Sequence, residues 1–189
     1  MIIEPWQVVA LFLWAFAEAV FWPFMPDALL VPLAAFQPST WWMLIPIAVA
    51  GSAVGGVASY LLARRTDVSA VLSGMPFVRP PMVAQCNLWL AAEGARGVRH
   101  QALSMVPFKV FAFTAGKLTL PLPTFIAWAM LVRGARFMVV CAIAAVSGII
   151  LKTPLALYPA PFLIAWAVAF YVALIMMVRK WEKADVRSD

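Results

Sequence analysis

Five charged side chains set among apolar ones are the residues of this chain able to do chemistry: Glu18, Asp27, Lys109, Arg133 and Arg136. The stretch Glu18-Ala-Val-Phe-Trp-Pro-Phe-Met-Pro-Asp27 puts two carboxylates and the prolines Pro23 and Pro26 into a run that is otherwise apolar, Gln7 apart, from Trp6 to Phe36. In lipid an unpaired carboxylate is costly, and proline removes a backbone donor that water cannot replace there. A helix therefore breaks near Pro23 and Pro26, and the carboxylates and freed backbone groups need protein partners or a wet cavity. Two readings are open: ordinary helix ends at an interface, or a broken element lining a site.

The cations supply the opposite charge. Arg133-Gly-Ala-Arg136 lies inside an apolar segment, where an arginine costs a few kcal/mol unless paired or solvated. At i and i+3 both guanidinium groups leave a helix on nearly one face. Arg136 is expected to be buried and paired, so that its loss strands a carboxylate. Lys109 follows Pro107 in a second interrupted stretch, Ser104-Met-Val-Pro-Phe-Lys109. Such charges can be buried pairs that fix packing. They can also form a site in which carboxylates take up protons and cations hold an anionic head group. Three cations against two carboxylates leave a positive balance, which favours an anionic guest over proton carriage. Lys109 and Lys117 can equally snorkel to an interface.

The elements around these residues belong in a membrane. Of the 189 residues 65% are hydrophobic and 12% charged, against about 45–50% apolar and about 25% charged in soluble domains. The net charge of +6 does not imply nucleic acid, because no Lys or Arg precedes Arg64 and the later ones gather beside apolar spans, as cytoplasmic loops do. The first residues lack the basic start of a secretory signal, so the first apolar segment is expected to remain part of the fold. Cys86, Cys141 and the lone His100 have no metal-ligand spacing, and no nucleophile or phosphate-loop motif occurs. Neither a cofactor nor an enzymatic activity is expected.

Trp6–Trp22 is marginal for a span and Asp27–Phe36 shorter, so the two pieces predict a re-entrant hairpin. Trp41–Leu62 predicts a transmembrane helix, with Trp41 and Trp42 at one interface and Arg64-Arg65 at the other. Within it Gly51 and Gly55 form a face for close helix approach. Residues 64–100 predict a cytoplasmic segment with an interfacial helix from Pro80. Residues 101–150 predict a second hairpin broken at Pro107 and a long helix over Phe125–Ile150. Residues 151–189 predict a last span and a basic tail. Residues 1–63 and 101–150 look related: Pro26 is followed eight positions later by Ala34-Ala35, and Pro107 by Ala115-Gly116. With the charge bias, the halves read as an inverted repeat with its site near mid-membrane. The fold class expected is all-α integral membrane, with two inverted re-entrant hairpins plus about three transmembrane helices in one domain.

The order of these motifs resembles the DedA (VTT, or SNARE-associated) superfamily. The features are Glu18 followed by Pro23-x-x-Pro26-Asp27, a Gly-rich helix ending in Tyr60 and basic residues, a Pro-centred second hairpin with Ala115-Gly116, and Arg133-Gly-Ala-Arg-Phe137. Pro107-Phe-Lys109 and the arginine motif resemble its YqaA-like branch, and the likeness covers residues 10 to 150. The resemblance implies two facing re-entrant hairpins in a bacterial inner membrane. It also implies movement of lipids, polyprenyl phosphates among them, between leaflets, and it puts the family's acidic positions at Glu18 and Asp27. Where the typical branch has arginines three residues before and after the second proline, this chain has Ser104 and Val110, so Lys109 would have to stand in. The implied partners are membrane lipids with an anionic head group, coupling protons and a second copy of the chain. A scaffold or assembly factor with purely structural ion pairs is the alternative function.

Overall fold

The computed structural model describes residues 3–185, all of its regular structure helical. The end of the basic tail, residues 186–189, lies outside the described residues. Ten α-helices follow in order: α1 (Pro5–Val20), α2 (Asp27–Phe36), α3 (Trp41–Ala63), α4 (Val68–Ser73), α5 (Pro80–Glu93), α6 (Gln101–Ser104), α7 (Phe108–Lys117), α8 (Leu122–Ile150), α9 (Lys152–Leu157) and α10 (Pro159–Asp185). A 3-10 segment, Gly94–His100, joins α5 to α6. Within the described residues Trp41–Ala63, Leu122–Ile150 and Pro159–Trp181 are long and apolar enough to cross a membrane. Their outward faces carry large exposed apolar side chains, among them Val54, Met138, Ile143, Ile164 and Val172. Water would penalise such faces and lipid does not.

The ends of the first elements follow from their sequence. Pro5 opens α1, where its missing N–H costs nothing, and the Glu4 N–H donates to Gln7 Oε1 at 3.1 Å. After Val20 the chain runs without helix until Asp27, as the two prolines require. Thr40 precedes α3, but its hydroxyl turns back to the Gln37 carbonyl at 3.3 Å.

Small residues set how closely the helices cross. A Cβ at Gly51 would overlap the Phe12 carbonyl, and one at Gly55 would lie 2.5 Å from the Phe16 carbonyl and 2.8 Å from Ala19 Cβ. The glycine face of α3 therefore receives α1 backbone to backbone. In the same way α2 lies on α8, where Ala35 meets Gly148, and α7 lies on α3, where Gly116 meets Tyr60.

Residues 64–107 depart in detail from the sequence reading. The helix from Pro80 forms, but it buries Met82, Cys86 and Leu90 in the core and packs on α7, which a helix lying loosely on the interface would not do. α4 was not anticipated; Asp67 starts it by accepting from the Ser69 amide at 2.9 Å. The amides of Ser69 and Ala70 hold the Asp67 carboxyl below its usual range. The arm before Pro107 is a single helical turn after the 3-10 segment, much shorter than α1.

Two large apolar clusters result, beside a small one of Leu174, Met177 and Val178 on α10. One holds Tyr60, Met82, Phe108, Phe111, Phe113 and Phe125; the other holds Leu11, Leu30, Leu44, Phe137 and Cys141. On α1 Ala15 belongs to the second and Ala19 to the first, and on α8 Phe137 and Ala129 divide likewise. Glu18 and Arg133 sit at that seam.

Candidate functional site: a charged seam beside the α1–α2 break

The break between α1 and α2 has a definable polar debt. In an uninterrupted helix residue i donates to the carbonyl of i−4. Pro23, Pro26 and Pro32 have no N–H to give, so the carbonyls of Ala19, Trp22 and Ala28 lose their helical donors. Each is answered by a side chain from another element. Ser59 Oγ on α3 donates to the Ala19 carbonyl at 2.7 Å. Lys109 Nζ on α7 donates to the carbonyls of Trp22 at 3.1 Å and Phe21 at 3.2 Å. Trp166 Nε1 on α10 donates to the Ala28 carbonyl at 3.1 Å. Inside the break, Trp14 Nε1 donates to the Phe24 carbonyl at 3.2 Å. These carbonyls of the irregular backbone thus find their donors within the protein, as hydrocarbon surroundings demand.

The carboxylates meet the two arginines of α8. Arg133 Nη2 lies 2.8 Å from Glu18 Oε2, with both side chains almost wholly enclosed, at 4% and 3% exposure. The Arg133 guanidinium is held between rings, 4.5 Å from the Phe108 centroid and 5.1 Å from that of Phe137. Arg136 Nη2 lies 2.6 Å from Asp27 Oδ2 and 3.4 Å from Met25 Sδ, and its side chain is 25% exposed. Asp27 is the first residue of α2, where the helix dipole favours a negative charge. Each pair is one-armed: Asp27 Oδ1 and Arg133 Nε are buried without a hydrogen-bond partner among the described residues. A crevice beside Arg133, walled by Ser52, Ala53, Phe108 and Ala129, is too narrow to admit a water molecule.

Glu18, Asp27, Arg133 and Arg136 therefore come together, and Pro23 and Pro26 lie in the break beside them. Lys109 joins them in space but not in charge pairing. It does not snorkel, because it is buried under the end of α1, and its hydrogen-bond partners are carbonyls rather than a carboxylate. The carbonyls that close α1 carry partial negative charge, which answers the ammonium. Glu18 also attracts the Lys109 ammonium through space, so three cations still face two carboxylates. Arg133, not Arg136, is the fully enclosed arginine. Pro107 breaks the chain before α7, and Gly51 and Gly55 pack against α1 away from the pairs.

Sequence reasoning missed Ser59, Trp14 and Trp166. The prolines announce which carbonyls are orphaned, but nothing local says which distant donor reaches them. Among the described residues no group of three or more His, Cys, Asp or Glu side chains could hold a metal ion. Cys86 and Cys141 are free and buried, and enclosure pushes the Cys86 thiol up to about 12.

No family model matches the chain. It is similar to an uncharacterized protein of Haemophilus influenzae, 28% identical over 136 residues that make up 71% of this chain and 70% of the relative. No solved structure matches.

Proposed function

We propose that this chain is an inner-membrane protein of the DedA type that moves an anionic lipid between leaflets, without enzymatic chemistry. The observation that carries the reading is the unequal pair of ion pairs. Glu18–Arg133 is sealed, whereas Asp27–Arg136 sits at an edge with one carboxylate oxygen unpartnered and a quarter of the arginine exposed. The edge pair can exchange partners. A phosphate head group competes with Asp27 for the planar fork of Arg136. Asp27 accordingly acts as an exchangeable latch on Arg136, and the surplus positive charge favours an anionic guest over proton carriage.

The α1–α2 and α6–α7 elements are proposed to be re-entrant hairpins of an inverted repeat. Two features support this. The second arm of each half lies on the long helix of the other, α2 on α8 and α7 on α3. The touching residues Ala35 and Gly116 stand at matching distances from Pro26 and Pro107, since 35 − 26 and 116 − 107 both equal 9. The charge bias then orients the N-terminus outside and the Arg64–His100 region inside, in a bacterial inner membrane.

Liposome reconstitution with a leaflet-accessibility assay for a labelled anionic lipid tests the function. The expected result is flux in the wild type that Asp27→Asn changes with the fold intact, because Arg136 is then held less tightly. Unchanged flux in Asp27→Asn would remove the latch. A folded protein with no flux at any pH would favour the second reading, a membrane scaffold or assembly factor. That reading is favoured by the crevice beside Arg133, which has no room for a guest, and by the donors that answer the carbonyls orphaned by Pro23, Pro26 and Pro32.

A further inference from the structure

A cavity of about 510 Å³ opens between α4, α5 and α7, with none of the five charged residues of the seam in its wall. Its size falls within the range of about 300–1,000 Å³ typical of small-molecule sites. The wall is two-sided in character. Leu72, Val78 and Val83 give it an apolar side, and Asn87, Thr114 and Lys117 a polar one, with Arg79 also lining it.

Thr114 gives the polar side a hydroxyl without a strong partner. Its side chain is buried, at 2% exposure, and its hydroxyl has no hydrogen-bond partner among the described residues. The nearby Cys86 thiol acts on that hydroxyl only as a weak sulfur partner. A buried hydroxyl left open is costly, and buried polar groups are nearly always satisfied. Lys117 closes α7 on the same wall and is exposed, so its ammonium can reach a guest. Asp67 lies close enough to Lys117 to feel its charge, but it does not line the cavity and its carboxylate is engaged by the α4 amides.

We infer that this cavity binds an anionic amphiphile, with its chain against Leu72, Val78 and Val83 and its head group between Lys117 and the Thr114 hydroxyl. A neutral apolar guest would leave Thr114 open, and a small free anion would leave the apolar wall unfilled. This assignment is independent of lipid movement and of the Asp27–Arg136 latch.

Native mass spectrometry of the full-length protein, released from a non-ionic detergent, tests it with three probes: dodecyl phosphate, inorganic phosphate and dodecyltrimethylammonium. Dodecyl phosphate should give one saturable adduct, and the other two probes should bind far more weakly. Lys117→Gln, at an exposed position that leaves the fold intact, should weaken that adduct about tenfold, an affinity change of about 1.4 kcal/mol. Thr114→Val should also weaken it, and Ala84→Trp, which fills the cavity, should abolish it. Arg136→Ala should leave it unchanged. Equal uptake of inorganic phosphate or of the cationic amphiphile would overturn the assignment. So would a dodecyl phosphate adduct that survives Lys117→Gln and Ala84→Trp, or one lost only in Arg136→Ala. A protein that moves no lipid in liposomes yet keeps the Lys117-dependent adduct would overturn the transport reading and leave this site standing.

Discussion

The two breaks in this chain, at residues 21–26 and 105–107, interrupt apolar sequence in similar ways and are held by different means. Pro23 and Pro26 at the first, and Pro32 just after it in α2, leave three carbonyls without helical donors, and donors come from α3, α7 and α10. The second is handled locally. Met105 takes a left-handed conformation at φ 61°, the Val106 amide donates to Ser104 Oγ at 3.3 Å, and Pro107 stands immediately before α7, where no N–H is needed. Both charged pairs sit at the first break and none at the second. A break held by distant side chains is tied to the assembly of the whole molecule, whereas a locally held one forms with its own segment. Coupling between helices should therefore run through the first.

The largest test of that contrast is Arg133→Ala. It strands Glu18 without its partner in an enclosed seam, and the loss should be roughly 3–5 kcal/mol. Arg136→Ala should cost clearly less, because the Arg136 side chain is a quarter exposed whereas that of Arg133 is enclosed. Melting of both purified variants in one detergent gives the comparison. Equal melting temperatures would mean that the two pairs share one environment, and the contrast between sealed and exchangeable pairs would fail.

Lys109→Met comes next. It keeps the bulk of the side chain and removes the donor for two carbonyls, so the loss should be on the order of 1–3 kcal/mol. Because Glu18 also attracts the ammonium, a double-mutant cycle with Glu18→Gln should show a coupling smaller than the loss itself. A coupling as large as the whole loss would make Lys109 chiefly a counter-ion of Glu18. Ser59→Ala and Trp166→Phe each remove one neutral donor and should cost about 1–2 kcal/mol apiece. By contrast Ser104→Ala, at the second break, should stay below about 1 kcal/mol, since its hydrogen bond is long and local. A Ser104 effect as large as that of Ser59 would erase the difference between the breaks.

Much of this was legible in the residues, and the limit has a physical cause. Pro23 and Pro26 forbid a continuous helix whatever surrounds them, so the break could be read directly. The carboxylates and the arginines had to meet something, and the i, i+3 spacing put Arg133 and Arg136 on one face. Which of the two lies deeper depends on how α8 crosses α1 and α2, and that crossing is set by Ala35 against Gly148. No property of residues 133–136 contains it. The carbonyl partners of Lys109 were not legible for a related reason. Charge counting looks for carboxylates, while in an apolar interior the carbonyls orphaned by prolines are equally in need of a donor. α4 escaped notice because a six-residue helix carries almost no periodic signal and rests on the Asp67 cap.

The smallest expected effect lies just ahead of the second break, where charges are again paired locally. Glu93 accepts from His100 Nε2 at 2.9 Å and from Arg99, whose Nε lies 2.9 Å away, and the His100 ring stacks on Trp89 at 4.7 Å. The His100 hydrogen bond, and then Arg99, hold the Glu93 carboxyl below its ordinary value. A depressed carboxyl stabilises the fold fully above its unfolded value, near 4.5, and loses that contribution as pH falls through the lower folded value. Wild-type protein should therefore lose stability between pH 5 and pH 3, about the unfolded carboxyl value, slightly more steeply than Glu93→Gln. Above about pH 6 the Glu93 carboxyl is ionised both folded and unfolded, and its contribution no longer changes with pH. The difference should be small because the cluster faces water, which screens it. Melting curves across that pH range, in the same detergent, read it out. A Glu93→Gln profile as steep as wild type in acid would mean that Glu93 is held no more tightly folded than unfolded. The approach to the second break would then rest on the Trp89–His100 stack alone.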